Sequence, residues 1–522
     1  MRRMRRSLST LVCLLLATQL YAEKIKPLPA RVAAALSDAD LSRGFWGIEV
    51  VSLSTGRTLY TQNADKLFTP ASNTKLFTTA AALALIGPDY KFHTTVETSG
   101  MLDRYGRLTG DLVLVGRGDP NLSGRALPYD LSAQRSDHPI EVLEHLADSL
   151  VQKGVKYVDG DIIADDSYFA FERYGEGWSQ DDLVWADGAP VSALTINDNV
   201  VFVNILPADR PGERAFVSVA PFADYYRIDN RIITTPGGTG RKIFINREPG
   251  STVLTLWGNM PLDDVGANEA LAIEDPAKFA AQLFRSLLEK RGIAVYGSQR
   301  THHTELASLS TFSVTTIAPS RGGNDSQSRP MTNQSLVLAS YESKPLVEDV
   351  QVINKVSQNL HAEILLRLLG REKGTAGTVE GGLEVLRGFL TQAGIPSDQY
   401  LFYDGSGLSR QNLVTPHAVV QLLRYTASQR WGALYHDTFP VAGIDGSLSD
   451  RFNNTLRGRV FAKTGALGGV KTLSGYATTV SGERIAFSIL SNNFNLPIKR
   501  VTDTIDRIVE ALVDDAPAPK SK

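Results

Sequence analysis

A serine and a lysine three residues apart, Ser72 and Lys75, open the run TPASNTKLFTTAAALALIG. At i and i+3 on a helix both side chains project from one face, and Ser72 falls at the positive end of the helix dipole. A serine hydroxyl is a poor nucleophile until a base takes its proton, and an amine is a base only when its neutral form is populated. Burial lowers the pKa of a lysine, and so does a second positive charge nearby. The pair therefore points to acyl transfer, with Ser72 as nucleophile and Lys75 as base, if the helix is buried. Leu76, Phe77, Ala80, Ala81, Leu83 and Ala84 cover most of its circumference, which predicts a helix inside a domain and argues against a snorkelling surface lysine. Pro70 sits at a favoured helix start and Gly87-Pro88 is a stop signal.

By composition a Ser-x-x-Lys match is expected about once in such a chain, so its context matters more than its presence. Only Lys75, of all the lysines, has a serine three residues before it. Ser357-Gln358-Asn359 lies within a helical run that begins near Leu346, and Ser491-Asn492-Asn493 fits the same Ser-x-Asn pattern at a strand end. Lys463-Thr464-Gly465 lies on a strand with glycines soon after it, and no other lysine starts that tripeptide. Lys463 supplies a second charge to depress Lys75, a cation for a C-terminal carboxylate, and a strand edge against which a peptide can lie. Ser357 is placed to relay a proton to a departing amine, and Asn359 to hold either the acyl side chain or Lys75. His302-His303 and the other histidines show no metal spacing, so neither metal nor cofactor is expected.

The elements that must position these groups read as follows. FWGIEVVSLSTGRTLYTQN gives two strands ahead of the Ser72 helix. From about Thr94 short strands with Gly, Asp and Pro punctuation form a long β-rich insert, with one helix read within it, from Asp275 to Gly292. A polar linker covers 318–335, helices follow, and the end of the chain gives three successive strands and an amphipathic helix with Ile498, Val501, Ile505, Ile508, Val509 and Leu512 at helical spacing. The fold class is α+β, an antiparallel sheet flanked by helices and split in sequence by its insert. The expected division is a catalytic domain at 23–97 and 336–515, one insert domain at 98–199 and 268–335, a second at 200–267, and a frayed tail at 516–522.

The N-terminus, MRRMRRSLSTLVCLLLATQLYAE, reads as a cleavable secretory signal over residues 1–22, hence export to the periplasm. Its loss removes four arginines and no acid, taking the net charge from −2 to −6, and with it the only cysteine, Cys13. An acidic mature chain makes nucleic acid an unfavourable partner, and a chain without cysteines takes its stability from core size.

Together and in this order the three motifs resemble those of the penicillin-recognising serine acyl-transferases, the serine β-lactamase and transpeptidase superfamily. The resemblance is closest to the penicillin-binding protein 4 type of D-alanyl-D-alanine carboxypeptidase and endopeptidase, the low-molecular-mass class C group, whose large insert matches the 285-position offset from Ser72 to Ser357. VGRGDPNLS, GWSQDDLVWADGAPVSALTINDN, INKVSQNLHAEILL, DGSGLSRQN and PVAGIDGSLSDRF look like the same family. The resemblance implies a transpeptidase-like core and an acyl-enzyme on Ser72, with an oxyanion hole from the N–H groups of Ser72 and Ala466. It implies substrate contacts by Thr464, Gly465, Ala466, Asp165, Phe169 and Arg410. The implied partners are peptidoglycan stem peptides as substrates and β-lactams as inhibitors, with room left for a homodimer and for peripheral membrane contact. Two positions depart from the pattern: relatives usually place Ser or Thr at Ala466, and some that read meso-diaminopimelate place Gln at Gly468. The competing readings are a β-lactamase or esterase, for which no Glu-x-x-Leu-Asn element is seen, and a non-catalytic cell-wall scaffold, against which the intact motifs argue.

Overall fold

The structure is a computed structural model that describes residues 27–127, 129, 138–309, 335–452 and 456–514. The expected signal at 1–22, nearly all of the linker at 318–335 and the tail at 516–522 lie outside the described residues. No helix among the described residues is long and apolar enough to cross a membrane.

Strands β1 (Phe45–Ser52), β2 (Thr58–Gln62), β3 (Val460–Leu467), β4 (Val470–Thr478) and β5 (Arg484–Asn492) form an antiparallel sheet in the order β3-β4-β5-β1-β2. Side chains alternate across a pleated strand. In β5, Ile485, Phe487 and Ile489 therefore enter one core while Ala486 and Leu490 enter the other. The first core is closed by α1 (Leu28–Ala35) and α7 (Ile498–Val513) through Val32, Val501, Ile505, Ile508 and Val509. The second is filled by α2 (Thr74–Leu85), α3 (Leu346–Lys355), α4 (Asn359–Lys373), α5 (Val379–Gln392) and α6 (Pro416–Ala427). Every residue of α2 from Thr74 to Leu83 is buried, as its apolar circumference predicts.

Two helical expectations are corrected. Pro70 does not open α2: it precedes a 3-10 turn, Ala71–Asn73, in which Ala71 has φ of +48°, and the α-helix starts at Thr74. The run from Leu346 is not one helix either, because α3 ends at Lys355 and α4 begins at Asn359, with Ser357 at φ of +65° between them.

The chain enters the insert through His93–Thr98 and leaves it through Leu336–Glu342, and these two strands pair with each other. They form one side of a five-stranded mixed sheet that continues with Leu112–Val115, Ile162–Ala170 and Gln299–Thr304. The expected junctions at 97/98 and 335/336 thus fall at a strand pair that belongs to the insert's sheet. Two helices back it: Pro276–Lys290, and Glu141–Gln152, which the sequence reading missed although Leu143, Leu146, Ala147 and Leu150 bury one face. Residues 200–272 add two three-stranded sheets.

Candidate active site

The turn Ala71–Asn73 holds Ser72 half-buried in the wall of a cavity of about 430 Å³. The turn is pinned from several sides. Asn492 at the end of β5 clamps Thr69 through two hydrogen bonds, Thr472 Oγ1 donates to the Pro70 carbonyl, and Asn73 Nδ2 donates to Ser474 Oγ. Asn492 thereby serves the turn that carries Ser72, and the competing Ser491-Asn492-Asn493 does not line the cavity. Gly407, at φ of +85°, presses against the same turn: a Cβ there would fall 1.9 Å from the Ala71 carbonyl oxygen.

Beneath Ser72 lies Lys75, wholly buried. Its Nζ is 2.9 Å from Ser72 Oγ, 2.6 Å from Asn359 Oδ1 and 2.6 Å from the Ser406 carbonyl oxygen. The last two atoms can only accept. A neutral amine has two N–H bonds and one lone pair, so if both N–H bonds serve those acceptors the lone pair faces the serine hydroxyl. Burial pulls the Lys75 pKa down from 10.5 to about 8, against the carboxylates of Asp404, Glu363 and Asp187, which raise it.

The break between α3 and α4 presents Ser357 to Lys463 on β3. Lys463 is also wholly buried, and its Nζ donates to Ser357 Oγ and to the Thr464 carbonyl, each at 2.8 Å. Burial, then the charges of Lys75 and Lys471, hold its pKa well below 10.5. Of the two influences expected on Lys75, burial and the charge of Lys463, burial is the one that lowers its pKa, while Lys463 is itself held down by burial and by its cationic neighbours.

β3 is the edge strand of its sheet; a bridge from Val441 to Phe461 covers the start of its outer side, and beyond it Thr464, Gly465, Ala466, Leu467 and Gly468 line the cavity. A Cβ on Gly465 would stand 3.0 Å from the Ser72 nitrogen, so this strand abuts the serine turn. Arg410 also lines the cavity and donates to the Gly468 carbonyl at 3.1 Å. A side chain at 468 would meet its guanidinium, at 3.1 Å from Cβ, which explains why glycine suits this position.

Asp165 and Phe169 do not line this cavity. Asp165 faces His302, with Oδ2 3.0 Å from Nδ1, and Phe169 is 2% exposed, packed in the core against Gly118 and Gly377. Instead, two acids the sequence reading passed over, Asp182 and Asp187, line it with Arg410. The Asp182 pKa is raised by burial and by Asp187, with Arg410 opposing. Two buried carboxylates were passed over as well. Asp404 gathers the backbone N–H groups of Gly407 and Ser409, and Glu363 accepts from those of Gly405 and Ser406, fixing the carbonyl that Lys75 uses. The acidic pattern of DGSGLS signals a tight turn, but nothing in the string shows that the turn is wrapped around a lysine.

Residues 28–316 and 323–512 match the sequence profile of the D-Ala-D-Ala carboxypeptidase 3 (S13) family. The chain is 34% identical over 478 residues to the D-alanyl-D-alanine carboxypeptidase of Actinomadura sp. strain R39, covering 89% of this chain and 81% of that one. It is 26% identical to the carboxypeptidase DacB of Haemophilus influenzae, covering 83% and 82%. The crystal structure of penicillin-binding protein 4 from H. influenzae superposes with a TM-score of 0.77 at 23% identity, covering 93% of this chain and 99% of that one, and the same protein has been solved in complex with a β-lactam. With the profile spanning nearly all of the described residues and the Actinomadura identity running through both halves of the interrupted core, the chain belongs to the D-Ala-D-Ala carboxypeptidase 3 (S13) family and is a serine-type carboxypeptidase.

Proposed function

We propose that this carboxypeptidase works through an acyl-enzyme on Ser72, releasing the terminal D-alanine of peptidoglycan stem peptides and also cleaving D-alanyl cross-bridges between them. The observation that carries this reading is the 2.9 Å approach of Lys75 Nζ to Ser72 Oγ, with both other Nζ contacts made to obligate acceptors.

In this reading a peptide lies extended along the free edge of β3, its C-terminal carboxylate toward Lys463 and Thr464. That carboxylate makes a charged Lys463 favourable. One proton is then shared by the two buried lysines: it rests on Lys75 in the free enzyme and on Lys463 once substrate is bound. Neutral Lys75 takes the Ser72 proton as Oγ bonds to the carbonyl carbon before the last residue. The resulting oxyanion is met by the N–H groups of Ser72 and Ala466. The C–N bond breaks as Lys75 gives up that proton, by way of Ser357, to the leaving amine; Lys75, neutral again, deprotonates the water that attacks the ester and returns the proton to Ser72 Oγ as the acyl group leaves. Ala466 supplies its N–H without a hydroxyl, leaving Thr464 as the side chain on the carboxylate.

Asp182, Asp187 and Arg410 frame the part of the cavity that would take the third residue of the stem. An acid pair beside a guanidinium suits a side chain ending in both an ammonium and a carboxylate, such as meso-diaminopimelate. Asp165 and Phe169 would act there only after a rearrangement. A β-lactam acylates the same serine and leaves slowly. We further propose export to the periplasm by the N-terminal signal, and a domain division that moves His93–Thr98 and Leu336–Glu342 into the insert.

The test is a fluorescent penicillin on wild type and Ser72→Ala, with the label's release timed, together with product identification from purified cross-linked muropeptides. Slow release from wild type, no label on Ser72→Ala, and D-alanine plus uncrosslinked monomers as products are expected. Fast release would replace the reading with a β-lactamase, and no label on wild type with a non-catalytic scaffold.

A further inference from the structure

The turn that carries Ser357 and Asn359 is held from outside the catalytic half of the molecule. In the insert, Asn197, Asp198 and Asn199 have φ of +53°, +54° and +52°, three consecutive left-handed residues that are not glycine. L-residues avoid that region, and a run of three persists only where the surroundings fix it. Here the amides of the two asparagines do so. Asn199 Nδ2 donates to the Pro190 carbonyl and its Oδ1 accepts from the Ile196 N–H, while Asn197 Nδ2 donates to the Val200 carbonyl. What the strained turn achieves is the delivery of one carboxylate, that of Asp198, 1% exposed, into the junction between α3 and α4.

There Asp198 meets three side chains from two parts of the chain. Oδ2 accepts from Gln358 Nε2 at 3.0 Å and pairs with Arg125 Nη2 at 2.6 Å, and Oδ1 lies 3.1 Å from His361 Nε2. Gln358 is the residue between Ser357 and Asn359. With its amide N–H₂ engaged by Asp198, its Oε1 points at the N–H of Leu360, 2.8 Å away, and caps the first turn of α4. His361, one turn into α4, in addition lies 3.8 Å through Nδ1 from Asp349 Oδ1 on α3, and both are wholly buried. The carboxylate of Asp198 thus grips the linker residue and the following helix, and through His361 ties that helix to the preceding one.

We infer that Asp198 is a positioning residue for acyl transfer: by orienting Gln358 it holds Ser357 at positive φ toward Lys463 and aims Asn359 at Lys75. This rests on the proposed roles of Ser72, Lys75 and Ser357. It explains why a loop of the insert crosses to the catalytic core, and it makes the insert part of the machinery that sets the acylation rate. Asp198 touches no reacting atom, and its influence passes through the geometry of the pair of lysines and their hydroxyl partners, where misplacement by about 1 Å costs on the order of a hundredfold in rate.

The test separates the acylation rate constant from the preceding binding constant with a fluorescent penicillin, at a temperature well below unfolding, for wild type, Asp198→Asn, Gln358→Leu and the double variant, with Tm measured for each. Asp198→Asn is expected to lower the acylation rate constant about ten- to a hundredfold while changing the binding constant less than threefold. The double variant should be no slower than the slower single variant, because both substitutions cut one connection. An unchanged acylation rate constant in Asp198→Asn, whether or not Tm falls, overturns the inference, as do losses that multiply in the double variant. If Asp198→Asn does not fold, Gln358→Leu alone decides on the same criterion of rate constant against binding constant. A wild type that takes no label overturns this inference together with the acyl-enzyme reading, whereas a labelled wild type matched by its variants overturns this inference alone.

Discussion

If the two buried lysines share one proton, as proposed, two substrates that differ only at their C-terminus should show opposite pH dependence. The perturbation is to replace the free carboxylate of a D-alanyl-D-alanine peptide by an amide and to compare kcat/KM from pH 6 to 9.5. The last proton leaves the pair near pH 8, the value to which burial brings Lys75 from 10.5. That fall is worth about 3 kcal/mol, and at pH 7 it raises the neutral fraction of Lys75 from about three in ten thousand to about one in eleven. The carboxylate substrate needs the shared proton, on Lys463, in the productive complex. Its kcat/KM should stay level up to about pH 8 and then fall, by about tenfold between pH 7 and 9. The amide substrate gives Lys463 nothing to pair with and needs only a neutral Lys75. Its kcat/KM, about a hundredfold or more lower overall, should rise about tenfold from pH 7 to its plateau. The substrate carboxylate stays ionised throughout this range. Two curves that bend the same way near pH 8, or no bend in either, would refute the shared proton. An amide curve that still climbs about tenfold per pH unit at pH 9.5, with no plateau, would refute a base depressed by burial.

Asp187→Asn removes an anion that raises the Lys75 pKa, so both bends should move to lower pH, and a move to higher pH in the same assay would contradict the arrangement. Gly407→Ala places a methyl 1.9 Å from the Ala71 carbonyl at a φ of +85°, so thermal or urea unfolding should show a loss of about 3 kcal/mol or more, with penicillin labelling falling alongside. Gly468→Ala meets only the mobile end of Arg410, so its stability should stay within about 0.5 kcal/mol, while KM for diaminopimelate-containing peptides rises and kcat holds.

The features legible in the sequence are those written in local pattern. The buried helix α2 followed from its apolar circumference, and the hairpins β1-β2 and β4-β5 from alternation around turn residues. Ser72, Lys75, Ser357 and Lys463 were picked out by motif before their convergence was visible. The break at Ser357 was hidden because Ile353, Leu360 and Ile364 continue the apolar pattern across it without Gly or Pro. A left-handed serine is imposed by tertiary contacts that no window of sequence contains. Asp182, Asp187 and Glu363 went unread for a related reason. An acid in a loop looks like a solvated charge, and an acid in a helix like part of an ion pair, until the fold shows which cation it faces. Asp165 and Phe169 were proposed from resemblance alone, and the cavity wall is made by other residues.

Amines that are partly unprotonated at neutral pH are ordinarily the first to be carbamoylated, glycated or captured by carbon dioxide. Lys75 and Lys463 combine that chemistry with complete enclosure, each 0% exposed beneath the hydroxyls of Ser72 and Ser357. Small electrophiles arriving from the cavity therefore meet an alcohol before they meet a nitrogen, so the burial that leaves the amines partly neutral also shields them from side reactions.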